Sequence, residues 1–118
     1  MDPETTERLH KELVEEREQL REQLRDLGVN PDDPTSLELQ FDQGFADSAQ
    51  ITAERNRVLS IAQGLRANLD DVEHALRRMD DGTYGTCERC GREIALERLE
   101  AVPFARLCIE CKREVRSR

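Results

Sequence analysis

The sequence has few of the residues from which compact cores are built. It contains no tryptophan, one tyrosine and three phenylalanines among 118 residues. Charged residues, by contrast, make up 37% of the chain. This composition is too polar for one compact globule, but it suits long helices with a solvated face. The length allows one modest domain or an elongated molecule of two parts.

Excess positive charge is also lacking, since the formal net charge is −8 at pH 7. Non-specific binding to nucleic acid needs a basic surface that contacts phosphates. A DNA-reading finger would need the same kind of surface, and glutamates are mixed among the basic residues around the cysteines. We therefore expect no direct sequence-specific DNA binding.

Long apolar runs are missing as well. The chain starts with the polar and acidic residues MDPE, which do not resemble the apolar part of an export signal. No stretch is apolar over the length that a membrane span needs. From this we expect a cytoplasmic protein with no membrane partner.

Cysteine is rare, and all of it lies in one stretch near the end of the chain. The four cysteines form two Cys-x-x-Cys pairs: Cys87 with Cys90, and Cys108 with Cys111. This spacing is typical of a site in which four thiolates surround one zinc ion tetrahedrally. Gly91 directly follows the first pair and allows the backbone to turn back sharply. The sequence therefore predicts one structural Zn²⁺ bound by all four cysteines.

Three other uses of the cysteines are less consistent with the sequence. A catalytic zinc needs an open position for water, whereas four thiolates leave none, and the only histidines, His10 and His74, lie outside this stretch. A redox dithiol needs one pair, usually near a βαβ pattern. A disulfide framework needs an oxidising compartment. A closed zinc site would instead supply folding free energy in place of a large core.

The first part of the chain has the repeat of an amphipathic helix. We predict that this helix begins with Thr5 or Thr6 as its N-cap, runs to about Leu27 and is ended by Gly28 in the C′ position. Its polar face carries Glu, Arg, Gln and Lys. Its apolar stripe is narrow, as in a coiled coil, and consists of Leu9, Leu13, Leu20, Leu24 and Leu27.

A second, longer helix is predicted from about Asp47 to Met79, ended by residues 80–82. Its apolar residues keep a heptad register over four heptads, which is a strong coiled-coil signal. These residues are Ile51, Val58, Ala62, Leu65, Leu69, Val72, Leu76 and Met79. Arg17 and Arg55 are the polar residues within the two stripes.

These patterns predict a mainly α fold with two parts. Residues 1–81 would form an antiparallel coiled-coil helical hairpin, although the sequence leaves a dimeric coiled coil open. Residues 82–118 would form a small four-cysteine zinc finger followed by a C-terminal helix after Cys111. We expect a small core around the metal from the apolar residues between the two pairs: Ile94, Leu96, Leu99, Val102 and Phe104.

The segment between the two predicted helices is acidic. It spans residues 28–50, contains a turn cluster and offers only a weak signal for a helical turn at residues 36–41. No lysine or arginine occurs between Arg25 and Arg55. Acidic residues are frequent there: Asp26, Asp32, Asp33, Glu38, Asp42, Asp47 and Glu54. The segment is either a solvated acidic loop or an acidic tip that faces a basic channel or a metal ion.

The region around the cysteines resembles a known family. Residues 82–94 read GTYGTCERCGREI, residues 99–103 read LEAVP and residues 107–112 read LCIECK. These segments are similar to the signature of the DksA/TraR zinc-finger proteins, in linker residues as well as in cysteines. The resemblance implies binding to bacterial RNA polymerase rather than to DNA. It also implies that a coiled coil enters the secondary channel of the polymerase and brings acidic tip residues near its catalytic centre.

The tip motif of that family is Asp-x-x-Asp-x-Ala. Asp47 and Ala49 match its second aspartate and its alanine, whereas Gly44 replaces the first aspartate. Asp42 lies two residues earlier and is the candidate substitute. In some members the alarmone ppGpp acts at the complex with the polymerase, and the replacement by Gly44 makes such dependence less expected here.

Three functions remain for comparison. The first is a non-enzymatic regulator that binds RNA polymerase and places Asp42, Asp47 and Ala49 near the active site. The second is a transcript-cleavage factor whose acids hold a second magnesium ion. The third is a zinc-stabilised adaptor that binds another protein through its coiled coil. The resemblance favours the first.

Overall fold

The computed structural model describes residues 1–33 and 49–116. They contain four helices: α1 (Pro3–Asp26), α2 (Ala49–Asp81), α3 (Leu96–Ala101) and α4 (Ile109–Arg116). Within these ranges there is no β-strand, and the only extended pairing is an isolated antiparallel bridge between Thr86 and Glu93. The mainly α fold is thus confirmed, with two long helices, a four-cysteine segment and a C-terminal helix.

Helix α1 begins earlier than predicted. The carboxylate of Asp2 accepts a hydrogen bond from the backbone N–H of Thr5 at 2.7 Å, and this bond lowers the pKa of Asp2. Pro3 takes the first helical position, where its fixed φ is favourable and its missing N–H costs nothing. The prediction of Thr5 or Thr6 as N-cap was therefore wrong, because Asp2-Pro3 provides a better start.

The predicted end of α1 is confirmed. Gly28 has a positive φ of 82°, and its N–H donates to the carbonyl of Arg25 at 2.9 Å. The N–H of Val29 donates to the carbonyl of Leu24, also at 2.9 Å. These two bonds form a Schellman motif, in which glycine provides the left-handed residue. Val29 is 3% exposed, so the motif also returns an apolar side chain to the helix.

Helix α2 ends at Asp81, next to the predicted stop. The predicted start near Asp47 and the predicted turn at residues 36–41 lie outside the described residues. The chain forms two compact units, and both long helices contribute to each. We call Glu18–Asp70 the coil unit, and Met1–Arg17 with Asp71–Arg118 the finger unit.

The coil unit is built on the apolar stripes of its two helical segments. Its buried apolar side chains include Leu20, Leu24, Val29, Ala62 and Leu69. Arg66 donates a hydrogen bond to the carbonyl of Pro31 at 2.5 Å, so the chain leaving α1 lies against α2. Arg21 on α1 pairs with Asp32 at 2.8 Å. The turn after α1 is thereby fastened to both helices of this unit.

The finger unit has a small core that includes a residue from α1. Leu9 is 0% exposed and packs with Cys87, Ile94, Leu99 and Cys111. Burial of Ile94 and Leu99 was predicted and is confirmed, whereas Leu96 is 43% exposed. Leu96 is the first residue of α3 and lines a shallow cavity at the edge of the core instead of filling it.

In the finger unit, the first part of α1 and the last part of α2 also pack through the predicted apolar stripes. Leu13, Val72 and Leu76 are buried, as is Ala75, which the heptad pattern did not include.

The proposed boundary between a hairpin of residues 1–81 and a finger of residues 82–118 stays a prediction from the sequence pattern. None of the helices in the described ranges is long and apolar enough to cross a membrane.

Candidate metal centre

The fold brings the four cysteine sulfurs together. All four Sγ atoms lie within 4.8 Å of one another, and the sulfurs of Cys90 and Cys108 are 3.7 Å apart. A tetrahedral zinc ion with Zn–S bonds of 2.3 Å places its sulfurs about 3.8 Å apart. The cluster therefore has the dimensions of a four-thiolate zinc site.

The first cysteine pair lies in a tight turn. The N–H of Cys87 donates to the carbonyl of Arg92 at 2.8 Å, and the N–H of Gly91 donates to the carbonyl of Cys87 at 3.0 Å. Gly91 has a φ of 79°, which a side chain would disfavour. As the sequence predicted, a glycine lets the chain return directly after Cys90, so that both sulfurs face the same point.

The second pair begins helix α4. Cys108 precedes the helix, and its carbonyl accepts the hydrogen bond of Lys112 N–H at 3.0 Å. Cys111 lies in the first turn. The free N–H groups and the dipole of a helix N-terminus favour negative charge, and so favour thiolates. The helix N-terminus therefore favours ionised sulfur at the second pair, although burial and the other three sulfurs outweigh this effect at Cys111 when no cation is bound.

One sulfur of each pair is buried and the other is more accessible. Cys87 is 2% exposed and Cys111 is 6% exposed, whereas Cys108 is half-buried and Cys90 is exposed. All four are free thiols. The site is therefore attached to the small core on one side and open to solvent on the other.

The pKa values of the two buried thiols are shifted in opposite directions. Burial would raise the pKa of Cys87, but hydrogen bonds with the backbone at Cys90, Cys108 and Arg89 outweigh it and lower the pKa from 9.0 to about 6. Burial, followed by contact with the other three sulfurs, raises the pKa of Cys111 from 9.0 to about 12. Without a cation the four thiols cannot all ionise, so the donor set suits a divalent ion that removes their protons.

A polar network connects the turn of the first pair to α2. His74 Nε2 lies 2.5 Å from Glu88 Oε1, and Arg106 pairs with Asp71 at 2.7 Å. The N–H of Glu88 also donates to the carbonyl of Arg106 at 2.9 Å. Asp71 and His74 lie three residues apart on α2 and so share a helix face. The turn of the first cysteine pair and the segment before the second pair are therefore joined to each other and to this face of α2.

Two further contacts complete the finger unit. Tyr84 donates from its hydroxyl to the carbonyl of Pro103 at 2.8 Å, and burial raises the pKa of this tyrosine to about 12. Arg8 on α1 pairs with Glu100 on α3 at 2.9 Å. The pair of Arg8 with Glu100, together with Leu9, attaches the metal segment to the start of α1.

Comparison with known proteins agrees with this geometry. Residues 82–116 match the prokaryotic dksA/traR C4-type zinc finger family. General stress protein 16O from Bacillus subtilis is 33% identical over 112 residues, which cover 95% of this chain and 69% of that protein. This chain belongs to the DksA/TraR family.

Two further members of the DksA/TraR family extend the comparison. The RNA polymerase-binding transcription factor DksA of Haemophilus influenzae is 33% identical over 103 residues, which cover 87% of this chain and 63% of that protein. The structure of transcription factor DksA2 from Pseudomonas aeruginosa superposes with a TM-score of 0.73 and 26% identity, covering 99% of this chain and 87% of that one. Family and geometry together assign one zinc ion as the cofactor.

The other predicted site residues belong to the acidic segment. Asp42 and Asp47 lie outside the described residues, and Ala49 is the first residue of α2. Sequence reasoning did not identify Leu9 as part of the metal core, nor His74, Asp71 and Arg106 as supports of the cysteine turns. No local signal marks these residues, because each meets its partner only through the fold.

Proposed function

We propose that this protein binds bacterial RNA polymerase and regulates the initiation of transcription. The observation that carries the proposal is that the likeness to the family includes both parts of the chain. The zinc-finger match spans residues 82–116, and the likeness to DksA2 spans 99% of the chain, including the long helices. A protein that shared only the finger would not give the second result.

In this proposal the segment between α1 and α2 enters the secondary channel of the polymerase. Asp47 approaches the catalytic metal ion, Asp42 takes the place of the missing first aspartate, and Ala49 packs beside them. Carboxylate oxygens are the hard ligands that magnesium prefers, so a nearby aspartate can perturb or share that ion. The acidic segment without lysine or arginine has the charge that such a site needs.

The length of the described part of α2 supports the insertion into a channel that this mechanism requires. At 1.5 Å per residue, the helix from Ala49 to Arg66 is about 25 Å long. Arg66 is the residue that holds Pro31 after the end of α1. The described part of α2 therefore extends well past this contact.

In this proposal the zinc site has a structural role. The four cysteines hold the ion, and the surrounding core and polar network fix the ends of both long helices in the finger unit. Zinc supplies folding free energy there and takes no part in chemistry at the polymerase. The hairpin and finger of residues 1–81 and 82–118 would act as the inserted and the anchoring part.

The test is binding of the zinc-loaded full chain to polymerase core, followed by the lifetime of promoter complexes. The wild type is compared with Asp47→Ala and Asp42→Ala, and Asp80→Ala is the control because it removes the same charge from an exposed position in α2. We expect all four proteins to bind. Only the wild type and Asp80→Ala should change the lifetime of the promoter complexes. The same measurement with added ppGpp tests whether ppGpp contributes to that change.

Two results would overturn the proposal. If the wild type does not bind the polymerase, the protein is better explained as a zinc-stabilised adaptor for another partner. If stalled complexes show shortening of their RNA that depends on Asp47, the protein is a transcript-cleavage factor.

A further inference from the structure

A cavity of about 320 Å³ lies in the finger unit, where α1 meets the end of α3 and the residues after it. Its lining residues are Glu12, Leu13, Glu16, Ala101, Pro103 and Phe104. Pro103 and Phe104 are half-buried, so the apolar part of the lining is partly open to solvent. Glu12 and Glu16 are one helical turn apart and add two negative charges on the α1 side. We call this cavity the acidic groove.

Helix α4 carries a surface of the opposite charge. Lys112, Val115 and Arg116 have the spacing i, i+3 and i+4, so they share one helix face. Val115 is 50% exposed, and both cations are exposed as well. An exposed apolar side chain between two cations is suited to an apolar groove that two carboxylates flank. We call these three residues the basic face.

We propose that two copies of this protein associate, with the basic face of one copy seated in the acidic groove of the other. The two cations pair with the two glutamates, and Val115 packs against Phe104. This contact concerns self-association and does not depend on the proposed binding to RNA polymerase.

The spacing of the charges supports this match. In each helix the two charged residues are four positions apart, which is a rise of about 6 Å along the helix axis. Two helices that lie side by side can therefore bring both pairs of opposite charges together at once. Like charges at this spacing also destabilise their own helix, in α1 as well as in α4. Contact between the two surfaces offsets both repulsions.

Neither surface finds its opposite charge within its own copy. Among the described residues, the ion pairs include none of the four charged side chains of the groove and the basic face. Other charges of the same helices are matched within the chain, such as Arg8 with Glu100 and Glu114 with Arg89. The charges that are left over are those that a second copy can match.

The contact joins two different surfaces, so it is heterologous, and its repetition builds rings or open chains. Both surfaces are small, and small contacts are typical of weak and transient association. The net charge of −8 also repels two copies at long range. We therefore expect association only at high protein concentration.

The experiment is sedimentation velocity of the zinc-loaded full chain, at protein concentrations up to about 1 mM because the contact is weak. The groove variant carries Glu12→Lys and Glu16→Lys, and the helix variant carries Lys112→Glu and Arg116→Glu. For the wild type we expect a sedimentation coefficient that rises with concentration. Each variant alone should associate at least about 10-fold more weakly, because like charges then face each other.

Mixing the two variants in equal amounts tests the pairing itself. The groove variant keeps the wild-type basic face, and the helix variant keeps the wild-type groove, so the mixture should recover the association that each variant lacks. The control variant carries Glu7→Lys and Glu15→Lys, which make the same change in charge on exposed residues of another face of α1. It should associate at least as strongly as the wild type.

Zinc content and helical circular dichroism identify any variant that does not fold, and glutamine at the same positions then replaces the charge reversal. The proposal is overturned if the wild type stays monomeric over the whole concentration range, which would leave both surfaces to other proteins. It is also overturned if the mixture associates no more than its separate components, or if the control variant loses association as the groove variant does.

Discussion

The coil unit and the finger unit are stabilised by different means, although the same two helices pass through both. The coil unit buries leucines and other apolar side chains along one face of each helix. The finger unit buries a small cluster in which two of the five members are cysteines. The coil unit therefore depends on repeated apolar contacts, whereas the finger unit adds a metal ion to the ends of the same stripes, where Leu13, Val72 and Leu76 are buried.

This difference follows from what each segment can bury. A heptad stripe needs only a second stripe to pack against, and each added turn extends the contact. The finger segment has short helices of six and eight residues and few apolar side chains. Structural zinc supplies about 10–16 kcal/mol in small finger peptides at neutral pH, which is enough to replace a core.

Removing the zinc should have the largest effect, and it should affect one unit. After chelation we expect amides at Cys87 and Ile94 to lose their protection from hydrogen exchange, because the bonds that protect them depend on the shape of the metal site. Amides around Leu24 and Leu69 should remain protected. Hydrogen exchange followed by mass spectrometry measures both sets of amides. Equal loss of protection in the two units would show that they unfold together.

Leu9→Ala and Leu24→Ala compare the two units at matched positions of α1. Both leucines are 0% exposed, so each change should lower the free energy of unfolding by about 2–5 kcal/mol. Only Leu9 contacts the metal core, so Leu9→Ala should also accelerate transfer of zinc to a chelator. Thermal unfolding and zinc transfer check this, and faster transfer from Leu24→Ala would contradict the separation.

The smallest effects should come from ion pairs, and here too the units should differ. Asp71 and Arg106 in the finger unit are each 38% exposed, so a double-mutant cycle with alanine should give a coupling of about 1 kcal/mol. Glu54 and Arg57 in the coil unit are 61% and 69% exposed, and the same cycle should give about 0.3 kcal/mol. Denaturant unfolding measures both couplings. Equal values would show that ion pairs stabilise the finger unit no more than they stabilise the coil unit.

Local patterns in the sequence predicted much of this structure. The heptads placed the buried leucines of α1, Gly28 marked the end of that helix, and the cysteine spacing identified the metal site. The start of α1 was also a local feature, but Asp2-Pro3 was the stronger signal and the threonines were the wrong choice. Each of these features depends on residues within a few positions of one another.

Contacts between distant residues needed the tertiary structure. The chain contains many glutamates and arginines, and nothing local distinguishes Glu88, which meets His74, or Arg106, which meets Asp71. Likewise the stripe of α1 shows that Leu9 is apolar, but not that it packs beside Cys87.

The sequence by itself determined the two long helices, the C-terminal helix, the ligand set and the family, because these follow from short repeats and fixed spacings, whereas the short helix Leu96–Ala101 was not predicted. Only the tertiary structure decided which side chains complete the metal core and which polar groups hold the cysteine turns. Those choices depend on how far α1, α2 and the finger segment approach one another in space, and no spacing along the chain encodes that distance.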